Sequence, residues 1–191
     1  MKIEQKVGWK GIFTLKQYRN CAFRHDTGEV ILGKDGTPLG ADLVGTEEKD
    51  INLITTEGKD YIADLAYNNN DTQEANWYLA LFGNNLAPVV GDTAALVAAR
   101  LGELNAEIVE TNRPQWVKNT LTPNTGLSSS NSESPATFTA ATDDTIYGAY
   151  MISNNVLAGT TGVLLAASSF STTRSVLTDD ILQLTYEIQL T

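Results

Sequence analysis

The stretch ILQLTYEIQLT, residues 181–191, alternates without a break: Leu182, Leu184, Tyr186, Ile188 and Leu190 occupy one parity, and Gln183, Thr185, Glu187, Gln189 and Thr191 the other. A two-residue period puts apolar side chains on one face of a pleated strand and polar ones on the opposite face, the pattern of a half-buried antiparallel strand. Ten extended residues span ~34 Å, longer than the common strand of five or six residues. Chain ends ordinarily fray, so such regularity predicts a strand held by its own sheet or by a neighbouring subunit. It closes the core with one face and turns Gln183, Glu187 and Gln189 to solvent or a partner.

Working back from that strand, ATFTAAT (136–142), TIYGAYMIS (145–153) and GVLLAASSF (162–170) are further β segments, separated by Asp-Asp, Asn-Asn and Gly turns. Strands at this spacing predict a sandwich. ANWYLALFGNN (75–85) is dense in aromatic and aliphatic residues and closes on Gly83-Asn84-Asn85, which predicts a fully buried strand at the centre of the core. Two short helices interrupt the β text. Thr55 or Thr56 caps the first, with Tyr61, Ile62, Leu65 and Ala66 at helical spacing until Asn68-Asn69-Asn70. Asp92 or Thr93 caps the second, with Leu96, Val97, Arg100, Leu101 and Leu104 along one side. EIVETNRPQWV (107–117) predicts a strand, a turn at Arg113-Pro114 and an exposed Trp116, and the Ser- and Asn-rich residues 121–138 a surface loop.

The first fifty residues divide into KGIFTLKQY (10–18), a β segment, and GEVILGKDGTPLG (28–40), with a hairpin signal at Asp35-Gly36. The acidic EEKD at 47–50 marks a break. The expected organisation is an N-terminal β arm or hairpin region over 1–50 and a β-sandwich with inserted helices over 51–191. The expected fold class is mainly β: an antiparallel β-sandwich, jelly-roll-like or Ig-like, with two short helices.

Composition narrows the functional classes. With 191 residues, 42% hydrophobic and 19% charged, the chain is globular in character. Its net charge of −10 repels phosphate backbones and anionic membrane surfaces on average, and residues 119–173 contain no Lys or Arg, so neither nucleic acid nor membrane is an expected partner. Cys21 is the sole cysteine, which leaves no intramolecular disulfide and no cysteine zinc cage. The N-terminal text lacks a signal-peptide core, and no stretch reaches the ~18–20 apolar residues of a membrane span. Synthesis and assembly in a cytoplasm are the expectation.

Chemistry is sparse in the text. His25, the only histidine, sits in FRHDTGE beside Asp26, where charged neighbours indicate a solvated turn; a metal site would require further ligands of recognisable spacing. Cys21 and His25, four residues apart, would lie ~13 Å apart on a strand, beyond proton-transfer reach. The serines between 128 and 134 lack the strand-to-helix setting of an activated nucleophile. GKDGTPLG (33–40) matches no phosphate-cradle spacing, and Asp143-Asp144 and Asp179-Asp180 fit turn pairs better than a calcium or acid–base site. Trp77 belongs to core packing, whereas Trp116 suits an exposed position. No catalytic residue, metal or cofactor is expected.

From about residue 51 onward an ordered set of segments carries a resemblance: NLITTEGKDYIAD, WYLALFGN, ETNRPQWV, SNSESPATFT, TIYGAYMIS, GTTGVLLAASSF and DDILQLTYEIQL. In this order the chain resembles a widespread family of small virion proteins of tailed bacteriophages. The resemblance covers some 140 residues; before it, GKDGTPLGADLVGTEEKD (33–50) is longer than usual. It implies a virion component and no catalytic residues. The leading expectation is a capsid decoration or cement protein whose partners are the major capsid protein and copies of itself; the alternative is a tail, baseplate or tail-fibre component with tail proteins as partners. A hydrolytic virion enzyme, built on His25 with Asp26 or on an acidic pair, is the third class. The expected interface residues are Trp9, Phe13, Trp116, Gln183, Glu187 and Gln189.

Overall fold

A computed structural model describes residues 9–25, 27, 29–68, 73–119 and 128–190. In chain order they form β1 (Trp9–Arg19), β2 (Asp42–Leu43), β3 (Glu48–Ile51), β4 (Leu53–Ile54), α1 (Thr56–Ala63) with a π-helical turn (Asp64–Asn68), β5 (Tyr78–Phe82), α2 (Ala94–Leu101), β6 (Ser128–Ser130), β7 (Ala136–Thr139), β8 (Asp144–Ile152), β9 (Leu164–Val176) and β10 (Ile181–Leu190). The described residues are mainly β, with two antiparallel sheets and two helices.

The first sheet is built on β1 and β10, antiparallel neighbours in register from Trp9↔Leu190 to Tyr18↔Ile181. Strands β3 and β2 line the far side of β1, and β7 and β6 the far side of β10. The alternation in 181–190 therefore belongs to an inner strand, held on both sides by its own chain. The expected boundary at residue 50 falls inside β3, and β1 is integral to the sheet. Residues 9–19 thus belong to the sheet itself, because a central strand cannot leave it without stranding both neighbours' hydrogen bonds. Within 1–50, residues 20–41 do make a hairpin-like excursion, with bridges Phe23↔Val30 and Leu32↔Pro38.

The second sheet has the order β4-β9-β8-β5. The core between the sheets joins Phe13, Leu15, Phe138, Leu182, Leu184 and Tyr186 to Leu79, Leu81, Ala149, Met151, Ala166 and Phe170. On the far face of the second sheet, Ala80, Phe82, Tyr150, Ile152, Leu164 and Ala167 pack against Ala94, Val97 and Leu101 of α2. This sheet is buried on both faces, which explains the unbroken apolar runs YLALF and AYMI. β5 is an edge strand rather than a central one; it is buried because α2 covers its face and the following chain covers its edge. Leu104 N–H donates to Leu81 O (3.0 Å), and Leu79 N–H to Pro114 O (3.0 Å).

Both helices occur where the caps predict them, with differences in detail. Thr55 Oγ1 accepts from Gly58 N–H (3.0 Å), while Glu57 reaches across to accept from Ala94 N–H (2.8 Å) at the start of α2 and from Leu164 N–H (2.7 Å) at the start of β9. Thr93 is the α2 N-cap but makes no side-chain capping bond; Asp92 instead pairs with Arg100 and accepts from Val89 N–H. Leu96, expected on the packed side, is 57% exposed, because the apolar stripe runs through Ala94, Val97, Ala98 and Leu101. The expected strand after Glu107 is reduced to one bridge, Ile108↔Ala140. Ser128–Ser130, inside the expected loop, pair with β10, whereas the loop's 121–127 portion lies outside the described residues.

Candidate interaction surface

The outer face of the first sheet is divided into two halves. At one end, Tyr18, Ile181 and Gln183 point outward yet are buried, because the excursion covers them; Gln183 Nε2 donates to Gly36 O (2.7 Å) and Leu43 pairs with Tyr18. At the other end, Lys10, Ile12 and Thr14 of β1, Lys49 and Ile51 of β3, and Thr185, Glu187 and Gln189 of β10 share a face that no other described element covers. Ile12 and Ile51 are register partners, so their side chains lie together on this face. Ile51 is 66% exposed. Around this apolar pair the polar groups are arranged rather than loose: Gln189 Nε2 donates to Glu187 Oε1 (2.8 Å), and Glu47 pairs with Lys49 (2.6 Å) and Lys16 (3.2 Å). The half-face combines exposed aliphatic surface with both signs of charge, which suits docking against another protein.

This geometry sorts the expected interface residues. Glu187 and Gln189 lie on the open half-face. Phe13 does not: its odd parity on β1 points into the core, where it is fully buried and its ring centroid is 4.5 Å from that of Tyr186. Trp116 is also internal, and its indole Nε1 donates to Tyr186 O (2.9 Å). The proline turn directs it inward because the 113–116 segment lies along the edge of β5. Gln183 is withdrawn by the excursion. Trp9 contributes backbone to the register with Leu190; its side chain lies outside the described residues. Sequence reasoning missed Ile12, Ile51 and Lys49, although the even parity of β1 and the odd parity of β3 carried the signal.

Two further concavities flank α1. A groove of about 500 Å³ runs between Asn52–Ile54 and Ile62, Ala66 and Tyr67. A cleft of about 510 Å³ between α1 and the start of α2 is lined by Glu57, Asp60, Asp64 and Asp92. The most elaborate polar cluster is fully buried. Arg113 pairs with Glu103 through Nε (2.6 Å) and Nη2 (2.8 Å) and donates to Asn154 O (2.8 Å) and Gly159 O (3.2 Å), while Ala158 N–H donates to Glu103 (2.8 Å). Closed to solvent, this cluster pins the 154–159 loop to the chain after α2. Sequence reading treated Arg113 only as the start of a turn.

The candidates for chemistry are scattered. His25 is exposed in a turn, and Asp26 lies outside the described residues. Burial pushes the Cys21 thiol up, away from the thiolate. Asp143 accepts from Thr178 N–H (2.8 Å) and Asp144 from Thr145 N–H (2.7 Å), as turn residues do. Asp180 is buried and holds Gln17, Arg19 and the Leu177 N–H. Among the described residues, no three His, Cys, Asp or Glu side chains come together as metal ligands, and no helix is long and apolar enough to cross a membrane.

Fold and surface define a two-sheet β-sandwich with one open sheet face. Comparison of the chain with family models, curated proteins and solved structures finds no match.

Proposed function

We propose that this chain is a structural protein of a tailed-bacteriophage virion, a decoration or cement protein that binds the outer shell and stabilises it through contacts with the major capsid protein and neighbouring copies of itself. The ordered segments from NLITTEGKDYIAD to DDILQLTYEIQL carry the reading. The open half-face around Ile12 and Ile51 supports it, since a flat, partly apolar sheet surface offers a docking area without catalytic machinery. Edge-strand exchange, by contrast, has little support among the described residues: β10 is internal, and the outer edges of β5, β6 and β7 receive hydrogen bonds from adjoining chain. Binding through a face is the better fit.

The test is quantitative mass spectrometry of purified virions, followed by incorporation of an Ile12→Asp, Ile51→Asp double variant. Many copies per particle and loss of the variant from particles, with its fold intact by circular dichroism, are the expected results. A handful of copies located at the tail would replace this reading with a tail component.

A further inference from the structure

Strand β3 has two faces with different tasks. Lys49 and Ile51 look outward onto the open half-face, whereas Glu48 and Asp50 turn toward β9, whose outer edge β4 covers only at Ala166–Ala167. Beyond that point the two carboxyls take the place of a neighbouring strand. Ser171 N–H donates to Asp50 Oδ1 (3.1 Å) and Thr172 N–H to Glu48 Oε1 (3.0 Å). Ser171 Oγ also donates to Glu48 Oε1, and Arg174 Nη2 to Glu48 Oε2 (3.2 Å). This seam joins the edges of the two sheets.

One atom in the seam is unexplained by these bonds. Asp50 Oδ2 is shut off from solvent and receives no hydrogen bond. A buried carboxylate oxygen without a donor is costly, and the ordinary remedy is to carry a proton. An acceptor for that proton is at hand: the Glu48 carboxyl is two residues away on the same face of β3, and Ser171 bonds both groups, its N–H to Asp50 and its Oγ to Glu48. The charged groups facing the pair are each other and Arg174 of β9, which already engages Glu48. Two ionised carboxylates at this spacing would repel across the seam; one proton shared between them removes the repulsion and satisfies Oδ2.

We propose that the folded protein holds the Asp50 proton more tightly than the unfolded chain and that protonated Asp50 donates its Oδ2 hydrogen to the Glu48 carboxylate, making the β3–β9 seam a proton-locked latch that tightens in acid and loosens as the proton is lost. Burial acting on Asp50 raises its carboxyl above the ordinary range despite the Ser171 bond. Glu48, which burial would also raise, is held below its usual value by Ser171, Thr172 and Arg174. Because the folded state binds the Asp50 proton more tightly than the unfolded chain, the latch adds stability as pH falls from the folded value toward the unfolded one. It loses that stability as pH rises through the folded value. Since β3 also carries Lys49 and Ile51, the latch would govern how firmly the docking face is held. That link rests on the proposed function, but the shared proton does not.

Carboxyl-carbon NMR of the full chain from pH 3 to 8, with urea unfolding at each pH, tests the proposal in the free protein. Asp50 is expected to titrate above the ordinary aspartate value of ~3.9. In Asp50→Asn the amide donates to Glu48 at every pH, so wild-type stability should fall relative to this variant as pH rises from the unfolded value of ~3.9 to the Asp50 value in the folded protein, by up to about tenfold in the folding equilibrium per pH unit, and the two should run parallel above it. Glu48→Gln should bring the Asp50 titration down toward the ordinary value. An Asp50 that titrates near ~3.9 in the folded wild type, or parallel pH profiles for wild type and Asp50→Asn, would overturn the latch. Failure of virion incorporation alone would bear only on the proposed function.

Discussion

The two sheets place similar strands in opposite circumstances. The second is covered on both faces, by the first sheet and by α2, over residues 79–82 of β5, the 149–152 end of β8 and the 164–167 start of β9, where no polar residue interrupts the run apart from the Tyr150 hydroxyl. The first is covered on one face and, on the other, only over the half that carries Tyr18, Ile181 and Gln183. Its strands alternate, and its outward positions are free to serve recognition. Stability is therefore concentrated in the second sheet, with the surface available for function in the open half of the first.

The largest expected effect lies beside the second sheet. Glu103→Ala removes the carboxylate that pairs with a fully buried guanidinium and should cost about 4–5 kcal/mol in urea unfolding. A loss below about 1 kcal/mol would mean that water reaches Arg113 and that this layer is less closed than its packing indicates. Next comes the same substitution made in both sheets. Ile152→Ser, under α2, should cost about 3–4 kcal/mol through lost burial and an unpaired hydroxyl. Ile51→Ser, on the open half-face, should change stability by no more than about 0.5 kcal/mol. Equal losses would erase the distinction between the sheets.

The legibility of the sequence follows the same division. In β10 the face exposed to polar surroundings kept a strict period of two, so strand, parity and length were readable from residues 181–190. The double burial of β5 and β8 was visible as apolar runs, yet nothing in YLALF tells an inner strand from an edge strand that helix and loop have covered. Side-chain destinations were least legible where a long-range partner decides them. Gln183 is indistinguishable in pattern from Glu187, and only the excursion, which brings Gly36 onto Gln183, separates them. Trp116 follows a proline turn that could face either way until the β5 edge fixes it. The outer face was half read: its polar column on β10 was found, but the matching column on β1 and β3 required the register between residues far apart in the chain, such as Ile12 and Ile51.

A smaller effect tests how closely α1 is fitted to the second sheet. In an exposed helix, Gly→Ala adds about 1 kcal/mol of stability. At Gly58, however, a Cβ would stand 2.4 Å from Leu165 O and 2.9 Å from its Cα, at the bulge where β9 slips register against Met151 and Ile152. Backbone cannot rotate away as a side chain would. Gly58→Ala should therefore destabilise by about 1–2 kcal/mol, with the loss appearing as a lower urea midpoint at unchanged slope. A gain in stability would show that the helix stands off the sheet.

An effect of similar size concerns pH, and it sets the covered end of the first sheet against the β3–β9 seam. Burial alone would raise the Asp180 carboxyl, but hydrogen bonds from Arg19, Leu177 N–H and Gln17 outweigh it and hold the group below the ordinary aspartate value. A depressed folded value means that the unfolded chain takes up the proton first. The stability contributed by Asp180 is thus fully present above the unfolded value of ~3.9 and is lost as pH falls through the folded one. Asp50 runs in the opposite sense, gaining as pH falls. Asp180→Asn should cost about 1–2 kcal/mol near neutrality, where charged acceptors are replaced by a neutral amide, and its deficit against wild type should close as the acid limit is approached. If the deficit stayed constant down to the acid limit, the contribution of Asp180 would be one of shape rather than charge, and the opposition between this end of the first sheet and the seam at Asp50 would be lost.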